Sequence, residues 1–283
     1  MFSLRLGSAR ISPTALYTAQ VWQENQRSVP ELQYWASRAL YSALWPAMRT
    51  SQWFGGPTLT DFLLARHDLI DHCLTQAIDS GQISHVVEIA AGLSPRGCRY
   101  VDRYGSKLTY IEADLPAMAQ QKANLLKDRL SHNSNHHVVP IDAFQSQGDE
   151  SLAGILARFK PTGGVAIVTE GLLNYFDRPS VLTLWHNIAA VAAAYPNSIY
   201  LSDLHFAGHN NDLASQLFAK ALGYFVQGRV HLHFQNEAEL QQALAPIALH
   251  CEVLDPRSFK QEIPACQARG AGLVRVLKMT LKA

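Results

Sequence analysis

Residues 85–114 read HVVEIAAGLSPRGCRYVDRYGSKLTYIEAD. Two short apolar runs, HVVEI at 85–89 and LTYIE at 108–112, flank a stretch opened by Ser94 and Pro95 and closed near Gly105, the punctuation of a helix. Each run is too short for a helix and too continuously apolar for a strand with one wet face, so both read as strands covered on two sides. Strand, helix and strand within about thirty residues make a βαβ unit, whose strands are parallel.

The alternation continues in both directions. Upstream, Phe62, Leu63, Leu64, Leu69, Ile70, Cys73, Leu74, Ala77 and Ile78 recur at helical spacing between Asp61 and Gly81. Downstream come a helix over Leu115–Leu130 with Pro116 in its first turn and a strand HVVPI at 137–141. A strand VAIVT at 165–169, an Ala-rich helix from about Pro179 to Ala194 and a fifth strand at 197–203 follow. Residues 210–248 read as mostly helical, and HCEVL at 250–254 with LVRVLKMTL at 273–281 supply two last strands. The fold expected is α/β: a doubly wound, mostly parallel, seven-stranded, Rossmann-like sheet. Residues 1–60 would form an N-terminal helical cap, and 61–283 the ligand-binding domain with a lid insertion near 206–235.

Composition narrows the function. With 24 basic and 23 acidic residues among 283, the net charge of +1 gives no field to attract nucleic acid or an anionic membrane. Cys73, Cys98, Cys251 and Cys266 are scattered, forming neither a disulfide framework nor a zinc cluster, which suits a reducing cytoplasm. The N-terminus MFSLRLGSARISPT lacks the apolar core of a signal peptide, and no run approaches the length of a membrane span. A small ligand is expected.

In a doubly wound sheet ligands bind beyond the carboxyl ends of the strands. The first strand ends in Glu88, Ile89, Ala90, Ala91, Gly92, small residues that let backbone approach a ligand. A dinucleotide fingerprint would need three glycines, and only Gly92 and Gly97 are present; a nucleophile elbow would need glycine where Arg96 stands. Asp114 lies about twenty residues beyond Gly92, where an acid can accept hydrogen bonds from a ribose diol; its other role would be to cap the following helix. Glu112 should point the same way. Asp142 and the amide of Ala143 could meet an adenine, and Glu170 in TEGLLNYF could meet an amino group or a positive sulfur.

Together VVEIAAGLSPRG, YIEADLP followed by Lys122, the strand-end Asp142 and EGLLNYF resemble the successive motifs of the leucine carboxyl methyltransferase family, which includes polyketide O-methyltransferases. The resemblance runs over roughly residues 12–205, and ISPTALYTA also looks familial. It implies a methyltransferase using S-adenosyl-L-methionine, with Arg66 on the methionine carboxylate, the Glu88–Gly92 loop along the methionine, Asp114 on the ribose, Asp142 and Ala143 on the adenine, and Glu170 near the amine. Two departures stand out: Ala90 replaces the first glycine of the family loop, and Trp22 stands where relatives carry a basic residue. Glycine at 90 is expected to tighten the donor site at some cost in stability.

A carboxylate acceptor needs no base, whereas a hydroxyl acceptor does. His205 and His209, just past the fifth strand, and Tyr175 are the residues that could deprotonate or line an acceptor, a small molecule such as a polyketide-like or carboxylic acid metabolite, or a peptide C-terminus. His231 and His233 share a strand face but have no third ligand at metal-binding spacing. Another adenosine-cofactor enzyme, such as an NAD-dependent dehydrogenase, and a non-catalytic binding module remain open, the latter favoured by Ala90.

Overall fold

The computed structural model describes residues 13–43, 58–195, 197–209, 231–247 and 249–281. The strands are β1 (Ile83–Ile89), β2 (Thr109–Asp114), β3 (His136–Pro140), β4 (Gly164–Thr169), β5 (Ile199–Leu204), β6 (Leu249–Leu254) and β7 (Arg275–Leu281). They form one sheet in the order β3-β2-β1-β4-β5-β7-β6. All pairings from β3 to β5 are parallel, and β7 is antiparallel to both its neighbours. The doubly wound, mostly parallel sheet expected from the apolar runs is the one observed.

Alternation along each strand sends side chains to two cores. Val87, Ile89, Ile111, Ala113, Val165 and Ile167 face α6 (Leu152–Phe159) and α7 (Arg178–Ala194). Val86, Tyr110, Ala166, Val168 and Leu201 face α2 (Leu59–Asp79) and α3 (Arg96–Tyr104). Both faces of β1, β2, β4 and β5 are covered, so these strands read as nearly continuous apolar runs, whereas the edge strand β6 alternates, with His250 and Glu252 exposed.

Several boundaries differ from the sequence expectation for local reasons. Helix α2 starts at Leu59 because Thr58 accepts from the Asp61 amide while the Asp61 carboxylate accepts from the Thr58 amide, a capping box. The helix expected over 115–130 is two, α4 (Pro116–Leu125) and α5 (Lys127–His132), broken at Leu126. Helix α6, absent from the sequence reading, carries the right-handed return from β3 to β4; Ser151 caps it by accepting from the Gly154 amide at 3.0 Å. Of 210–248, residues 231–236 are not helical, α8 (Glu237–Leu244) is, and 210–230, most of the expected lid, lie outside the described residues.

Within the expected cap, α1 (Pro13–Glu24) packs Tyr17, Val21 and Trp22 against Phe62 and Leu63 of α2 and against Val274. Residues 1–12 and 44–57 lie outside the described residues. Among the described residues no helix is long and apolar enough to cross a membrane. The four cysteines are buried and free, and burial pushes the Cys73 thiol up to about 11 and that of Cys98 to about 12.

Helix α3 can lie close to β2 and β3 only because of Gly97. A Cβ there would fall 2.7 Å from the Glu112 carboxyl and 2.8 Å from His136 Nε2. Both side chains are buried and bonded to each other, so neither can retreat. Gly97→Ala should therefore destabilise the protein by about 1–3 kcal/mol, the usual penalty for overpacking. Urea unfolding checks this; an unchanged midpoint would mean that α3 can slide.

Candidate functional site

The strand order reverses between β1 and β4, and a doubly wound sheet forms its ligand crevice beyond the strand ends at such a switch point. On the β1 side Ala90 (φ +55°) and Gly92 (φ +47°) are both left-handed, which turns the chain sharply. The Gly92 amide donates to Asp114 Oδ2 and the Leu115 amide to Oδ1, each at 2.7 Å. Asp114 thus locks the β1 loop to β2 and braces Leu115, the residue before the helix, without capping the helix itself. Each carboxylate oxygen keeps a second lone pair for a ligand hydroxyl. Burial raises the Asp114 pKa despite the two amides.

Beneath this loop lies a buried ionic network. Arg96, at the start of α3 and wholly buried, donates from Nε to Asp71 Oδ1 (2.5 Å), from Nη1 to Glu88 Oε1 (2.5 Å) and from Nη2 to Glu170 Oε2 (2.6 Å). Glu88 also accepts from Tyr110 Oη at 2.8 Å. His67 Nδ1 sits 2.9 Å from Glu170 Oε2, and Trp22 covers its ring at a centroid distance of 4.1 Å. Burial alone would raise the pKa of Glu170, but His67, Arg96 and Arg66 hold it well below the ordinary value; Arg96, His67 and Arg99 likewise outweigh burial at Asp71.

Arg66, on α2, spans the crevice towards β4 and β5. Its Nε donates to Glu170 Oε1 (3.1 Å) and its Nη1 to Asp203 Oδ2 (3.0 Å). Tyr175, 39% exposed, hydrogen-bonds the Thr14 side chain of α1; burial raises its pKa. Ala15 of the same helix packs towards Gly92, so α1 crosses the crevice from the β1 loop to the β4 loop. His205 is buried beside Phe62 and donates Nδ1–H to the Leu273 carbonyl at 2.6 Å; burial lowers its pKa and keeps it neutral.

The residues singled out in the sequence are thus distributed unevenly. Ala90, Gly92, Asp114, Arg66, Glu170 and Tyr175 gather around the crevice. Glu88 lies under it, engaged by Arg96 and Tyr110. Glu112 does share a strand face with Asp114, but it does not reach the ligand edge: it is fully buried between Lys122 Nζ (2.7 Å) and His136 Nε2 (3.0 Å). Alternation gives the face and not the depth. Asp142 closes a tight turn, accepting from the Phe144 amide and Gln145 Nε2, while the Ala143 carbonyl accepts from Asn187. His209 ends a single turn over Ala207–His209, and its side chain lies outside what is described. His231 and His233 stack in parallel at 6.1 Å, and no group of three metal-ligating side chains occurs among the described residues.

His67, Asp71, Arg96 and Asp203 escaped the sequence reading. The signal for the first two was present: polar side chains four apart in the apolar stripe of α2, beside Arg66. Although Trp22 is no cation, Arg66 has a second one beside it, because Arg96 stands on the same Glu170.

Comparison with known proteins bears on this arrangement. The family model described as leucine carboxyl methyltransferase matches residues 24–189. No curated protein sequence matches the chain significantly. Among solved structures, a candidate methyltransferase from Thermobifida fusca superposes with a TM-score of 0.67 at 14% identity, covering 97% of this chain and 96% of its own. An O-methyltransferase family protein from Burkholderia thailandensis gives 0.51 at 12% identity, covering 96% and 72%. At these identities the likeness is one of fold.

Two measurements follow from the geometry. Because Ala90 occupies the left-handed region, the expected stability cost of Ala90→Gly is reversed. Relief of about 1 kcal/mol of side-chain strain offsets the backbone freedom gained by the unfolded chain, so the melting temperature should hold or rise. A fall in melting temperature would contradict this. The second concerns acid. Glu170, Asp71 and Glu112 have depressed folded pKa values, as do His205 and His233 through burial. The unfolded chain therefore binds more protons than the folded one as pH falls. Denaturant midpoints should be highest near neutrality, decline below about 6.5 as unfolded histidines charge, and drop steeply below about 4.5. A profile flat to pH 4 would show that these groups are not perturbed.

Proposed function

Since this chain belongs to the leucine carboxyl methyltransferase family, we propose that it transfers a methyl group from S-adenosyl-L-methionine to a carboxylate or hydroxyl oxygen of a small-molecule acceptor. The observation that carries the proposal is the clamp on Asp114. Its two oxygens are fixed by the Gly92 and Leu115 amides with acceptor capacity to spare, at the strand end where a ribose diol is bound in this class of sheet. The site fits the donor in two further respects. Among the described residues a Cβ on Gly92 would meet Ala15, at 3.6 Å, so the β1 loop presents a wall of small residues. Leu115, 49% exposed beside Asp114, gives an apolar surface for a base.

When bound, the donor supplies a methyl group on a positively charged sulfur. The chain supplies alignment. Asp114 would hold the ribose, Asp142 and Ala143 would flank the adenine, and Arg66 would face the methionine carboxylate across the crevice. Glu170 would act through Arg66, His67 and Arg96, which engage both of its oxygens. For a carboxylate acceptor no proton moves. For a hydroxyl, His205 is the base this reading favours, because burial lowers the pKa of its imidazole and favours the neutral form. Tyr175 would line the acceptor side under α1. The four free buried thiols favour a reducing compartment such as the cytoplasm.

Calorimetric titration with S-adenosylmethionine tests the proposal; absence of binding at millimolar donor would overturn it. Asp114→Asn should weaken donor binding by about 1–3 kcal/mol through loss of charge-assisted hydrogen bonds. If Asp114 served only the loop and helix end, the variant would melt earlier with an unchanged dissociation constant.

A further inference from the structure

We propose that Asp203 is a positioning residue that aims Arg66 at the carboxylate of the methyl donor's amino-acid end, separately from the clamp that holds the adenosine end. The inference rests on the donor reading of the crevice given above. Asp203 is 2% exposed, one residue from the end of β5, and uses both oxygens. Oδ1 accepts from the Gly171 amide at 2.6 Å, and Oδ2 from Arg66 Nη1 at 3.0 Å. One side chain thereby ties the end of β5 to the loop after β4 and to a cation on α2.

Gly171 completes the seat. It has φ +66°, and a Cβ built on it would fall 2.8 Å from Arg66 Nη2. The guanidinium thus lies against bare backbone where any side chain would displace it. Glu170 holds Nε from a third direction, and Phe62 lies 5.4 Å from the guanidinium carbon. With Nε and Nη1 committed to carboxylates, the planar fork has one orientation, and Nη2 is the nitrogen these two ion pairs leave to a ligand. Nothing in this seat touches Asp114, which is fixed by backbone amides of a different loop.

The test compares two probes by calorimetry: S-adenosylhomocysteine, which has the amino-acid end, and 5′-methylthioadenosine, which lacks it. Asp203→Asn keeps an acceptor for the Gly171 amide while removing the charge that orients Arg66. It should weaken S-adenosylhomocysteine about tenfold or more and leave 5′-methylthioadenosine within about twofold. In an Arg66→Met background the same substitution should add less than about twofold, since the two residues act as one unit. Equal losses for both probes would mean that Asp203 only shapes the crevice, and additive losses that it acts independently of Arg66; either overturns the inference, as does unchanged S-adenosylhomocysteine binding. Should Asp203→Asn fail to fold, Gly171→Ala, which pushes the guanidinium aside, must show the same split between probes, and an equal or absent loss overturns the inference there too. Wild-type protein that binds neither probe refutes the donor reading itself and the inference with it. Wild-type protein that binds only 5′-methylthioadenosine refutes the inference alone.

Discussion

A wholly buried arginine cannot stand without its counter-charges, and Arg96 has three of them: Asp71 on α2, Glu88 on β1 and Glu170 after β4. Removing water from one guanidinium and three carboxylates costs several kcal/mol per ion, recovered only when the geometry is near ideal. The start of α3, the middle of α2 and the ends of two adjacent strands are therefore fixed relative to one another. The crevice between β1 and β4 takes its shape from that constraint. Such a cluster specifies one arrangement more than it adds stability, because an apolar replacement of similar volume could pack as well.

The same logic recurs along the edge of the sheet. Glu112 meets Lys122, which also donates to the Ser94 carbonyl and so pins the β1 loop from below. Asp203 meets Arg66. The acids on this face are each answered by a cation from the helix packed over them: α2 for Glu170 and Asp203, α3 for Glu88, α4 for Glu112. Asp114 differs. It lies past the cover of the helices, is answered by two backbone amides instead of a cation, and keeps acceptor capacity towards the crevice. Position relative to the helix ends, more than residue type, separates an acid that builds the site from one that can serve it.

Helix α1 adds a second constraint. Through Trp22 on His67, Ala15 beside Gly92 and Thr14 on Tyr175, it touches the ionic network, the β1 loop and the β4 loop. Its aromatic cover keeps water from the His67 side of the network, where Glu170 and Asp71 owe their depressed pKa values to neighbouring cations. A basic residue at position 22 would place a further cation beside a Glu170 already held by two arginines. Tryptophan in its place contributes apolar cover, and Arg96 contributes the charge.

The sequence by itself determined the fold and the edge of the sheet at which a ligand is to be expected. Apolar runs of strand length separated by helical stretches leave only a two-sided parallel sheet, and that sheet binds ligands at its carboxyl edge, which brings Ala90, Gly92, Asp114 and Glu170 into view. These are local signals, carried by period and punctuation within a few residues. The return helix α6 carries a signal of the same kind, Ser151 followed by Leu152, Ile155 and Leu156, but it is short and was missed. Tertiary structure alone decided which polar residues face the crevice and which are consumed beneath it. Glu112 and Asp114 are indistinguishable by alternation, yet one is sealed under Gly97 and the other is held at the edge. Arg96 finds Glu170 74 residues away and Asp203 finds Arg66 137 residues away along the chain, so local period and punctuation do not announce these pairs. The physical reason is that a charge's role depends on depth and on the counter-charge it meets, and both are set by which helix the fold lays over which strand.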